Sequence, residues 1–307
     1  MFVAVVAATG LLAGCDEREP EARAPSPEAP TVVSSRSAAE ITGWPAGLGR
    51  ALVLRIGSAQ DAYRLVVPEL GDSRFADSAL SIRSGDSIRV ALVGRSGMVG
   101  EAMLRIADSE SGSGSCVTWP TAEITTPTYT RRSGAAAWRV ALERDSVTAV
   151  VVDSLMGMRG ADSLALVRAV NSAAAGVPAP ADSLLQGIPF GVRRAYSFTA
   201  SGVSTVAAEL VRTSSSEADP REERLFVVGE RTGGEGNAHR NVFSRSVAGR
   251  ADSVPVADLL AAIVSSRLRR TILVLSVEDS RGLRLLLLER RAAREWRLSW
   301  VSAVSFC

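Results

Sequence analysis

"TILVLSVEDSRGLRLLLLER", residues 271–290, holds two apolar runs, TILVLSV and LRLLLLER, on either side of Glu278–Gly282. Short aliphatic runs that break at a Gly- and Asp-containing turn predict a β-hairpin. The consecutive leucines Leu285–Leu288 leave no alternate polar position for a solvated face, so the strand they form is expected to be buried. The run ends on charged residues and falls far short of the roughly 20 apolar residues a membrane helix needs.

The same grammar recurs along the chain. ALVLRIG and YRLVVPEL flank Ser58–Asp61, SIRVALVG and EAMLRIAD flank Arg95–Gly100, and WRVALER and VTAVVVDS flank Asp145-Ser146. Each pair predicts a hairpin. In AYSFTASG, Tyr196, Phe198 and Ala200 alternate with Ser197, Thr199 and Ser201, as in a half-buried antiparallel strand. EWRLSWVS is expected to place Trp296, Leu298 and Trp300 on one face in the same way.

Two segments break this rhythm. In ADSLALVRAVNSAAAGVPAP, Leu164, Val167, Val170 and Ala174 recur at helical spacing, with Asp162 or Ser163 to start the helix and Gly176 and Pro178 to end it. In ADSVPVADLLAAIVSSRLRR, Val256, Leu259, Leu260, Ile263 and Val264 form a second stripe, with Pro255 in the first turn. The fold class expected is α+β: mainly antiparallel β-hairpins and sheet, with two short amphipathic helices. The recurring Asp-Ser dipeptide, as at Asp86-Ser87, Asp145-Ser146, Asp162-Ser163 and Asp252-Ser253, falls where apolar runs start or stop. Both side chains bond nearby backbone amides there, which makes it turn and cap chemistry.

The first residues decide where the protein is expected to work. Residues 1–14, MFVAVVAATGLLAG, carry no charge and match the apolar region of a secretory signal closed by small residues. The tetrad Leu12-Ala13-Gly14-Cys15 resembles the lipobox of bacterial lipoproteins. The resemblance implies a diacylglycerol on the sulfur of Cys15, cleavage after Gly14, and acylation of the new amino group. No Arg or Lys precedes the apolar run, so translation is expected to start further upstream. From Asp16 onward the chain is acidic and rich in Pro and Ser, and cannot bury enough apolar surface to offset its ordering entropy. The division expected is a signal peptide over 1–14, a disordered tether over 15–43, and a single globular domain over 44–307. Residues near 125–137 mark where that domain would part into two subdomains.

With Cys15 taken by lipid, Cys116 and Cys307 remain as an even pair in a chain bound for an oxidising compartment. A bridge between them closes a loop of roughly 190 residues, for which the chain-entropy model gives a ceiling of about 5 kcal/mol. Their Cα atoms must then lie within about 7 Å, so the last strand must pack beside the segment of Trp119.

Composition excludes several chemistries. All 35 basic residues are Arg, so a Walker A lysine, a Schiff-base lysine and a Ser-Lys dyad are ruled out. The net charge of +2 argues against a nucleic-acid partner. The single histidine, His239, sits after the glycines of RTGGEGNAHRNVF and is expected to be a solvated loop residue. No G-x-S-x-G elbow occurs, no set of His and Cys has metal-ligand spacing, and no cofactor is implied. Glu222, Glu223 and Glu230 could pair for acid–base work or calcium, but no spacing singles them out. The most uneven charge is basic: Arg267, Arg269 and Arg270, then Arg290, Arg291 and Arg294, a candidate contact for an anionic surface. Solvated arginines that keep a sheet edge unpaired would look the same. Two functions follow: a lipid-anchored envelope protein acting as a non-catalytic binding or assembly module, with the membrane and an envelope protein as partners, or an exported hydrolase whose site the sequence does not display.

Overall fold

The computed structural model describes residues 31–33, 43–45, 47–56, 63–67, 86–106, 119, 122–130, 137–178, 182–214, 220–231 and 238–305. These form three antiparallel sheets and, among the described residues, one α-helix. The fold is therefore mainly β with little helix. Cys15, Cys116 and Cys307, and most of residues 1–43, lie outside the described residues.

The first sheet runs β3 (Tyr63–Val66), β2 (Leu52–Arg55), β7 (Val140–Glu143), β4 (Ser87–Gly94), β5 (Gly97–Ile106), β6 (Ala122–Tyr129). Its edge strands β3 and β6 approach each other, so the sheet curls around Trp138, Leu92, Leu104 and Val53. The middle sheet runs β17 (Glu295–Val301), β16 (Gly282–Ala292), β15 (Thr271–Asp279), β14 (Val256–Ser265), β8 (Val147–Val150). The third runs β1 (Thr31–Val33), β13 (Arg240–Arg250), β12 (Arg221–Arg231), β11 (Val203–Thr213), β10 (Gly191–Ala200), β9 (Asp153–Ser154). Thr31–Val33, which composition assigns to the tether, pairs with Ser246–Ala248 at the edge of β13.

The middle sheet is covered on both faces. Leu285, Leu287, Ile272 and Val274 pack against Leu52, Leu54, Val93 and Leu142 of the first sheet. Leu286, Leu288, Leu273 and Leu275 pack against Phe198, Ala207, Phe226 and Val228 of the third. Neighbouring residues of one strand thus feed opposite cores, which is why TILVL and LLLL carry no polar alternation. The far face of the third sheet is closed by helix α1 (Gly160–Ala174) through Leu166, Val170 and Ala173. Gly229 gives the helix its seat: a Cβ there would lie 2.6 Å from that of Ala173.

Three expectations are corrected. The stripe at 256–264 is a strand, not a second helix; it pairs with β15 and β8, and Leu260 is an extra residue that shifts its register. With both faces buried, neither period is written in polar residues, and the bulge removes the phase of two. WRVALER and VTAVVVDS do not pair with each other: β7 belongs to the first sheet and β8 to the middle one, with Asp145-Ser146 as the corner between them. Trp296, Leu298 and Trp300 do not share a face. Leu287 pairs with Trp300 and Leu288 with Leu298, leaving Ser299 as a bulge, so Trp300 enters the first core and Trp296 the second. Helix α1 itself stands where expected, but turned, with Leu164 58% exposed and Leu166 buried in its place.

The two-sided burial makes a direct prediction. Leu287 and Leu288 are adjacent and each has no exposed surface. Leu287→Ala and Leu288→Ala should each lower unfolding free energy by about 2–5 kcal/mol, read from urea titrations. A near-neutral result for either would mean that its face of the sheet is open.

Candidate functional site

Between the third and middle sheets the packing leaves a cavity of about 50 Å³, partly open to solvent. Phe226 and Phe243 wall it on one side and Leu275, Leu286, Leu288 and Leu298 on the other. The register aligns these side chains: Phe226 lies opposite Arg245 and Phe243 opposite Val228, while Leu275 lies opposite Leu286.

Glu230 closes one end of this interlayer. Its side chain is fully buried and accepts from Arg290 Nε at 2.5 Å, Trp296 Nε1 at 2.6 Å and the Arg294 amide at 3.1 Å. Toward the other end, buried Glu209 accepts from Arg194 at 2.9 Å, Arg224 at 3.2 Å and the Ala257 amide at 3.1 Å. Next to it Asp258 accepts from Tyr196 Oη at 2.5 Å and Arg95 Nη2 at 2.6 Å. Arg95 comes from the β4–β5 turn, so this one carboxylate ties all three sheets together. Burial and then the bond to Asp258 push the Tyr196 phenol well above its ordinary pKa, and it stays a donor.

Arg245 breaks this pattern. It projects from the middle of β13 into the cleft and forms no hydrogen bond or ion pair among the described residues. Val277, which also lines the cleft, pairs directly with Arg284, so Arg284 faces the same space. Its Nε is buried without a hydrogen-bond partner among the described residues, and its nearest carboxylate, Asp279, stands 3.8 Å away. Asp279 is held more closely by Arg281, at 2.9 Å. Burial, and then the like charge of Arg284, hold Arg245 below its ordinary pKa.

The basic residues singled out in the sequence are placed differently. Arg270 and Arg291 pair with buried Glu289 at 3.0 and 2.9 Å, and Arg290 with Glu230. Arg294 donates its amide to Glu230. Arg267 and Arg269 stand exposed at the β14–β15 turn. Glu222 and Glu223 are also committed, to Arg224 and Arg212. Among the described residues no three His, Cys, Asp or Glu side chains are placed to hold a metal ion, and no helix is long and apolar enough to cross a membrane. Comparison with protein-family models, curated proteins and solved structures returns no match.

His239 is not the solvated loop residue its neighbours suggest. It is 7% exposed, packed near Gly229, with Nε2 3.3 Å from Ser204 Oγ and its carbonyl accepting from Ser172. Nδ1 is buried without a partner among the described residues, so no carboxylate there orients the ring as a Ser-His-Asp site requires. Burial, then the charge of Arg231, hold its pKa below the ordinary 6.5. The unfolded chain therefore takes up a proton near that pH that the folded one resists. The stability this supplies is present above about pH 6.5 and is lost as pH falls toward the folded pKa. Urea midpoints should fall between about pH 7 and pH 5, and His239→Gln should flatten that slope; an unchanged slope would remove the assignment.

Proposed function

We propose that this chain is an exported bacterial lipoprotein, anchored to the cell envelope through lipid on Cys15, that works as a non-catalytic binding module. The observation that carries this reading is the cleft between the third and middle sheets. Its walls are aliphatic and aromatic, its ends are framed by committed polar networks, and it opens to solvent. Concave apolar sites with a few fixed polar groups are the usual form of a ligand site. An envelope protein partner and contact of exposed Arg267 and Arg269 with anionic head groups belong to the same proposal. The alternative, an exported hydrolase, has one observation in its favour, the approach of Ser204 and His239. That pair has no orienting carboxylate among the described residues.

A Cys116–Cys307 bridge is also proposed. The Trp119 amide meets Ser305 Oγ at 3.5 Å, so the chain three residues after one cysteine lies beside the chain two residues before the other. That proximity of their described neighbours supports the pairing, which requires Cα atoms within about 7 Å.

Two measurements test the reading. Cys15→Ser in a bacterial host should move the protein out of the membrane fraction and leave an uncleaved leader; wild-type processing and fractionation would overturn the anchor. The purified chain should bind the neutral probe N-phenyl-1-naphthylamine saturably, and Val277→Trp, which fills the cleft, should weaken that binding severalfold. Binding that Val277→Trp leaves unchanged would place the site elsewhere.

A further inference from the structure

The binding reading above gives the cleft a use, and the residues lining it narrow the ligand. We infer that the cleft takes a single-chain amphiphile with an anionic head, the tail lying among the apolar walls and the head held by Arg245 and Arg284.

The buried carboxylates between these sheets have their arginines: Glu209 has Arg194 and Arg224, and Glu230 has Arg290. Arg245 has no ion pair among the described residues: Glu209, which lines the same cleft, is already held by Arg194 and Arg224, and Arg284 adds a like charge. A half-buried guanidinium without a partner is costly to hold, and a second guanidinium beside it, held only by Asp279 at 3.8 Å, adds to that cost. An anion between them reverses both penalties, because carboxylate and phosphate oxygens can accept from two guanidinium forks at once.

The position of the pair supplies the second half. Arg245 lies in register between Phe243 and Val247 on its own strand, opposite Phe226, and Arg284 continues the row Leu288–Leu286. A ligand whose charge sits at the arginines must therefore run its remainder along Phe226, Phe243, Leu286, Leu288 and Leu298. The enclosed space is about 50 Å³ and partly open to solvent, so the tail lies along the apolar walls with part of its length outside. At the far end the Glu230 carboxylate is fully engaged by Arg290 and Trp296, so the uncompensated charge of the site lies at Arg245. Inorganic phosphate would satisfy the arginines but leave the walls unused.

The test compares heads on one tail. Fluorescence titration of the full chain with cis-parinaric acid and with its methyl ester should show the acid binding on the order of ten- to a hundredfold tighter, as charge-assisted hydrogen bonds of about 1.5–3 kcal/mol imply. Hexadecyl phosphate should displace the acid, and inorganic phosphate at millimolar concentration should not. Arg245→Gln should bring the acid down to the affinity of the ester. Arg245→Leu should do the same while raising the Tm of the unliganded chain, an increase that loss of a merely structural contact would not give. Equal affinities for acid and ester, or a preference that survives Arg245→Gln, overturns the head-group assignment but leaves the binding module standing. Failure of both probes to bind overturns both. Binding that emerges only in Cys15→Ser would show that the chain's own anchor fills the cleft, and would overturn the inference as well.

Discussion

A sheet covered on both faces has nowhere to put a polar side chain except at its ends and its bulges, and the rest of this molecule is arranged around that constraint. In the middle sheet, Leu285 and Leu287 serve one core and Leu286 and Leu288 the other, and none of the four exposes more than a few per cent of its surface. Each such side chain contributes about 1.5–3 kcal/mol by burial, but only while both flanking sheets are in place. The chain secures them at the start: residues 140–154 pass through β7, β8 and β9, one strand in each of the three sheets. Asp258 then joins the sheets again from the side, through Tyr196 and Arg95.

That constraint also sets what the sequence could disclose. Hairpins around Ser58–Asp61, Arg95–Gly100 and Glu278–Gly282 were legible because turn residues interrupt apolar runs, and the structure pairs those strands. Tyr196, Phe198 and Ala200 show the expected alternation because solvent reaches the intervening Ser197 and Thr199. The segment at 256–264 was not legible, since a strand buried on both sides offers no polar phase and the bulge at Leu260 displaces the apolar one. The same physics explains Trp300: a single inserted residue, Ser299, turns it to the opposite core, and a serine in a strand gives no warning of a bulge. The corner at Asp145-Ser146 carries hairpin residues because a chain that changes sheets needs the same tight turn.

The polar groups were less legible than the fold. An arginine cluster in sequence reads as a charged surface, yet Arg270 and Arg290 point at carboxylates from other strands, and Arg291 at Glu289 on its own strand. Those pairings join β12 to β16 and β14–β15 to β16, and no local pattern announces them. Arg245 is different. In RNVFSRSVAGR, Phe243, Arg245 and Val247 hold alternate positions, so the period of two already places an arginine on the apolar face of its strand. That signal was present, but its weight depends on whether a carboxylate waits across the cleft, and only the packed sheets show that the group waiting there is Arg284.

The middle sheet builds two interlayers from the same strands, and the two are filled differently. Toward the first sheet, Trp300 meets Trp44 edge to face at 4.9 Å with Trp119 in the same cluster, and large rings fill the space. Toward the third sheet, Trp296 is spent at the Glu230 end, and beyond it the two walls stand apart over Phe226 and Phe243. The gap is therefore not a property of the middle sheet alone, whose other face is filled by the rings of Trp300, Trp44 and Trp119. It lies under β13, where an arginine occupies a position that an aliphatic side chain would complete. Among the described residues between these two sheets, the buried carboxylates are matched by arginines while Arg245 is left without a carboxylate. Such a departure lowers the stability of the empty protein, and departures of that kind concentrate where a ligand restores the balance.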